Sequence, residues 1–129
     1  MFLETTDPQK LSFEVYKDAR GELAALELER LPFIVRRVFT IKGNGKEIIR
    51  GGHAHKECWQ FLYPSAPGVR VAFLNLNSAG SVDLNLGDGL VVPPFNWIEV
   101  TIPNENVIVN VLASHSYDKD DYLYNRPNS

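Results

Sequence analysis

Two of the chain's three histidines stand two residues apart in "IRGGHAHKECWQF", the stretch from Ile49 to Phe61. On a strand, residues i and i+2 project to one face, so His53 and His55 point together. Imidazole titrates near neutrality, which lets one ring remove a proton while another returns one. Arg50, just upstream, is a fixed positive charge suited to holding an oxyanion as it develops. A metal site competes for the same residues, but a catalytic metal usually needs about three protein ligands. Gln60 stands where a carboxylate is wanted, and an amide is a poor ligand for transition metals. The later strand "GLVVPPFNWIEV" contains no histidine to complete a set. The residues present therefore fit acid–base chemistry, with no metal and no cofactor expected.

What must position these groups is a set of short strands. "VDLNLGDG" places Val82, Leu84 and Leu86 on one face, and "VRVAFLNL" alternates in the same way. "NVIVNVLAS" (106–114) is nearly all apolar, as in a strand buried on both sides. "LSFEVYKD" and "ELAALELER" flank the turn "DARG", and Leu26 to Glu29 alternate strictly, which predicts strand there. Turn signals recur at "KGNGKE", "PSAPG", "NSAGS", "GDG" and "IPNEN". Many short strands so separated predict an all-β barrel or sandwich, a cupin-like jelly roll. The one expected helix is short and C-terminal, with Ser116 or Asp118 capping "KDDYLYN".

Composition narrows the function classes. A chain of 129 residues with 44% hydrophobic residues is expected to form one domain, residues 1–129. The net charge of −3 argues against a nucleic-acid partner, which calls for a basic stripe. No apolar run approaches the roughly 20 residues that span a bilayer, so no membrane partner is expected. The lone Cys58 excludes an internal disulfide and, with no secretory signal at "MFLETTDPQK", predicts a cytoplasmic location. Gly51-Gly52 before the histidines permits a bulge or a close backbone approach at the strand entry. Gln60 is an odd step from His55 and would face away from it unless a bulge intervened near Lys56-Glu57. Trp97, after the Pro93-Pro94 turn, is either a packing residue or a border of the ligand site. Arg20 and Arg37 are surface charges by default, and phosphate partners if the ligand is a nucleotide diphosphate.

At this point the chain resembles a family. "RGGHAHK" is similar to the R-G-x-H-A-H-K motif of the sugar-nucleotide 3,4-ketoisomerases. "DARGELAALE" followed by "LPFIVRRVF" resembles their opening hairpin, "VVPPFNWIEV" their proline–tryptophan turn, and "VLASHSYDKDDYLYN" their closing V-L-A-S…Y-D-x-x-D-Y segment. The four lie in family order over about residues 12 to 125.

The resemblance implies a jelly-roll homodimer that exchanges N-terminal strands and a metal-free site in the barrel. The implied reaction moves the keto group of dTDP-4-keto-6-deoxyglucose from C4 to C3. His53 and His55 would carry the protons, with His53 favoured as base on resemblance alone, and Arg50 would hold the enediolate oxygens or a phosphate. Arg20, Arg37, Gln60 and Trp97 are the expected substrate-binding residues. A binding module without turnover and a 3,5-epimerase remain as alternatives. The chain departs from the family at Phe39-Thr40, where an aromatic–tyrosine pair is common and an active-site phenol is expected. Ile98 also stands where a polar residue is frequent.

Overall fold

The computed structural model describes residues 1–127. Twelve strands run β1 (Gln9–Ser12), β2 (Val15–Asp18), β3 (Gly21–Ala24), β4 (Arg37–Lys42), β5 (Ile48–His55) and β6 (Gln60–Pro64). They continue as β7 (Val69–Leu74), β8 (Ala79–Leu84), β9 (Asp88–Val92), β10 (Trp97–Ile102), β11 (Ile108–Ala113) and β12 (Tyr122–Leu123). Two antiparallel five-stranded sheets form, ordered β1-β9-β6-β11-β4 and β12-β5-β10-β7-β8, while β2 and β3 pair only with each other. This is the all-β, cupin-like architecture that the period-two pattern predicts.

The core between the sheets is aliphatic. Leu62, Leu90, Val109 and Val111 from the first sheet meet Val69, Val71, Leu84, Val100 and Ile102 from the second. Fully burying each such side chain stabilises the fold by about 1.5–3 kcal/mol. The first sheet is covered on its other face as well. There Phe13, Leu31, Phe61, Val91 and Leu112 form a second cluster, joined by Leu26, Phe33, Val35, Trp59 and Tyr63. Two-sided burial explains why β11 reads as a run that is apolar except at Asn110.

Two local expectations are corrected. Leu26 to Glu29 form no strand; the chain makes a 3-10 turn over Leu28–Arg30 and carries Leu26 and Leu31 onto the second cluster. Of the alternating leucines only Leu26 packs, while Leu28 stays exposed on the 3-10 turn. The C-terminal helix reduces to a 3-10 turn, Lys119–Asp121, because Tyr122 and Leu123 are drawn into pairing with β5. Asp118 does cap that turn, its carboxylate accepting from the Asp120 N–H at 2.9 Å.

β1 lies along β9 of the same chain, Gln9 opposite Val91 and Ser12 opposite Asp88. No helix among the described residues is long and apolar enough to cross a membrane.

Candidate active site

The histidines end β5, whose neighbours are β10 on one side and β12 on the other. Up to Gly51 the pairing with β10 is regular, Arg50 facing Val100 and Gly51 facing Glu99; His53 then pairs with Ile98, so Gly52 is the extra residue of a bulge. Both glycines hold positive φ, 101° at Gly51 and 77° at Gly52. A Cβ at Gly51 would stand 2.7 Å from the Ile98 carbonyl oxygen, so that position admits no side chain without movement. The extra residue shifts the phase of the strand. Arg50, an odd step from His53, lines the same cavity as His53, and Ile48 before it packs on the core.

That cavity, about 250 Å³, lies between the sheets. Its wall takes Arg37 and Phe39 from β4, Arg50 and His53 from β5, Gln60 and Leu62 from β6, Ile98 and Val100 from β10, Val111 from β11, and Tyr117 and Tyr122 from the closing segment. Four expected site residues thus converge: Arg37, Arg50, His53 and Gln60. Gln60 does so without the bulge expected near Lys56-Glu57. β5 ends at His55 and the chain turns, so the count of residues restarts with β6.

His55 sits behind His53, the ring centroids 5.3 Å apart and the planes perpendicular. It is buried, and its Nδ1 hydrogen-bonds the Asp121 carboxylate at 2.9 Å. The same carboxylate accepts from the Glu57 N–H at 2.7 Å and the Cys58 N–H at 3.2 Å, so its position is fixed from three directions. Backbone bonds hold this corner too: Lys56 N–H to the Asp121 carbonyl, and Phe95 N–H to the His55 carbonyl. With Nδ1 donating to a carboxylate, the tautomer leaves Nε2 as a lone pair, and that atom is buried without a partner. His53 Nδ1 is likewise buried and unpartnered.

Burial pushes the His53 imidazolium down to about 4, and the neighbouring His55 adds to the shift. Burial also lowers His55, against the hydrogen bond and charge of Asp121, while Arg37 and His115 push it further down. Both rings are thus neutral near pH 7 and free to accept a proton.

Three residues that the sequence reading did not assign to the site line it or brace it. Tyr122 lies 4.8 Å from the His53 ring and 4.4 Å from the His55 ring, centroid to centroid. Its phenol is raised by burial, opposed by a hydrogen bond from Arg37. Asp121 orients His55, and Tyr117 closes the wall beside Arg37, whose guanidinium also lies 4.5 Å over the Phe39 ring. All three fall in the closing Y-D-x-x-D-Y stretch, the signal that would have found them.

Two expected binding residues lie elsewhere. Trp97 is on the opposite face of β10 from Ile98, packed near Gly52 with its Nε1–H toward Glu99 at 3.4 Å. Alternation along β10 sends Ile98 into the cavity and Trp97 out of it. Arg20 occupies the β2–β3 turn, paired with Asp18 in the same hairpin and not in the cavity. The departure at Phe39-Thr40 also changes meaning. Thr40 turns its hydroxyl to Asn110 across the strand pair, while Phe39 faces inward, so a phenol at 40 would point outward. Tyr63, a phenol on β6, packs against Phe13 and Phe61 on the far side of its sheet and does not fill that role.

Comparisons with known proteins find relatives over nearly the whole chain. Residues 6–128 match the family model described as FdtA: WxcM-like, C-terminal. A TDP-4-oxo-6-deoxy-alpha-D-glucose-3,4-oxoisomerase from Aneurinibacillus thermoaerophilus is 34% identical over 115 residues, 88% of this chain and 83% of that protein. A 3,4-ketoisomerase from Thermoanaerobacterium thermosaccharolyticum, solved as a histidine-to-asparagine mutant in complex with TDP-4-keto-6-deoxyglucose, superposes with a TM-score of 0.83 at 29% identity, covering 95% of this chain and 90% of that one. A 3,4-ketoisomerase from Helicobacter canadensis gives a TM-score of 0.81 at 30% identity, covering 94% and 92%.

Proposed function

This chain belongs to the FdtA, WxcM-like C-terminal family, and on that premise we propose that it shifts the keto group of dTDP-4-keto-6-deoxyglucose from C4 to C3. The observation that carries this reading is the convergence of His53, Arg37 and Arg50 on one cavity, with His55 directly behind His53 and both rings lowered by burial. A proton leaves C3, the C4 ketone becomes an enediolate, and a proton returns at C4 as the C3 oxygen becomes the ketone. Atoms and electrons balance within the sugar, so no oxidant is consumed.

The roles follow from position. His53 reaches the cavity and is neutral, so it is the base for the C3 proton. His55, held by Asp121, stands next to it and shares the proton before its return. Arg50 and Arg37 make no salt bridge among the described residues and hold the enediolate oxygens or a phosphate. Tyr122 supplies a phenol beside both rings in the role expected near Thr40. Gln60 completes the polar wall.

The dTDP-sugar is the expected ligand, and the working form is a homodimer with exchanged N-terminal strands. The free β2–β3 hairpin supports the dimer, because Tyr16 and Leu23 on it are exposed. Unpaired Cys58 fits a reducing, cytoplasmic setting. Proton NMR of dTDP-4-keto-6-deoxyglucose in D₂O, with wild type and His53→Asn, tests the reading. Wild type exchanges the C3 hydrogen and forms a 3-keto sugar; the variant is slower by about 10²–10⁴-fold. Binding without exchange by the wild type would leave a recognition module, and change at C5 would indicate an epimerase.

A further inference from the structure

The turn after β5 folds three metal-binding donors onto one spot. His55 Nδ1, Cys58 Sγ and an Asp121 carboxylate oxygen all lie within 4.8 Å of one another, and His55 and Cys58 are buried. The two sequence neighbours that cross this corner are tied down: Asp121 accepts from the Glu57 and Cys58 N–H groups, and the Ser114 hydroxyl lies 3.8 Å from the thiol. A tetrahedral ion with bonds of about 2.0–2.3 Å separates its ligand atoms by roughly 3.3–3.8 Å, so the donors need move only by about an ångström. A thiolate, an imidazole and a carboxylate together form a borderline-soft set that suits zinc or cobalt and not magnesium or calcium.

We propose that His55, Cys58 and Asp121 form an inhibitory site for a zinc-like divalent cation, distinct from any cofactor of the reaction. The ion takes the place of the proton between His55 Nδ1 and Asp121 and of the thiol proton, leaving its fourth position for water. Its charge lies one ring away from Nε2, so His55 no longer carries a proton and the pair stops cycling. A surface groove lined by Arg36, Glu57, Trp59, Ser114 and His115 adjoins this turn. The inhibition rests on the ketoisomerase reading; the site itself does not.

Cobalt(II) is the probe, because a thiolate ligand gives it a near-ultraviolet charge-transfer band. Wild type is expected to bind one cobalt per chain with that band, zinc to displace it, and Cys58→Ser and Cys58→Ala to lack it. Zinc should inhibit the wild type reversibly on chelation, while Cys58→Ser retains basal turnover and needs at least tenfold more zinc. Cobalt binding without the band, no binding, or equal zinc sensitivity in Cys58→Ser would overturn the proposal. If the protein turns over no dTDP-sugar, the cobalt spectrum still decides the site, with circular dichroism confirming that both variants fold.

Discussion

Asp121 accepts hydrogen bonds from two backbone amides and one imidazole, and its carboxylate is what distinguishes His55 from His53. An asparagine there keeps the backbone contacts in part but puts an amide against Nδ1, which favours the wrong tautomer. Asp121→Asn should therefore lower kcat by about 10²-fold while KM stays within about twofold, a split that a merely structural role would not produce. Tyr122→Phe removes only the hydroxyl bound by Arg37 and should lower kcat by about tenfold with an unchanged melting temperature; steady-state kinetics beside thermal denaturation check it. His53, Arg50, Arg37 and Gln60 were legible in sequence because they cluster in two stretches and their types suit the chemistry. Asp121 and Tyr122 were not, since they lie more than sixty residues from the histidines in a stretch that reads as a short helix. That Arg20 and Trp97 lie outside this cavity was not legible, because charge and aromaticity do not say which face of a strand a residue occupies.

At the level of elements, period two reveals strands but not a change of phase. The Gly51-Gly52 bulge is such a change, and it alone lets Arg50 share a cavity with His53. Gly51→Ala places a Cβ against the Ile98 carbonyl at a φ of 101°. It should destabilise by about 1–3 kcal/mol in urea titration and lower kcat/KM beyond what unfolding explains. A variant as stable as wild type would mean the bulge relaxes freely. β1 provides a second test. Asp88 accepts from Ser12 and pairs with Lys10, tying β1 to the strand it lies along. Burial raises that carboxyl, but the Asn85 backbone, Ser12 and Lys10 outweigh it and leave it lowered. A lowered carboxyl contributes stability above its unfolded value that is lost as pH falls through the folded one. Urea midpoints measured downward from pH 5 should therefore fall more steeply in wild type than in Asp88→Asn.

Across the whole molecule, the first sheet is a layer covered twice, and Gly89 shows how tightly. A side chain there would overlap the Phe61 ring, which crosses β9 where a Cβ would be. Phe61→Ala should cost about 3–5 kcal/mol, the range for a fully buried aromatic, and a loss under 1 kcal/mol would show that the covering segment collapses into the space. The β2–β3 hairpin has no such cover. Tyr16 and Leu23 are direct partners on it, 58% and 59% exposed, and the hairpin pairs with neither sheet. An isolated two-stranded hairpin is marginal in water, so one carrying two exposed large apolar groups gains from a surface to rest on. A second copy provides it in the proposed dimer, and Arg20 at the hairpin tip is then the charge that would reach beyond its own barrel. Sedimentation equilibrium should find a dimer, and Tyr16→Ser with Leu23→Ser should weaken it at least tenfold while leaving the β-sheet spectrum intact. A wild-type monomer with full turnover would instead mean that the hairpin lives in solvent and that one barrel suffices for the chemistry.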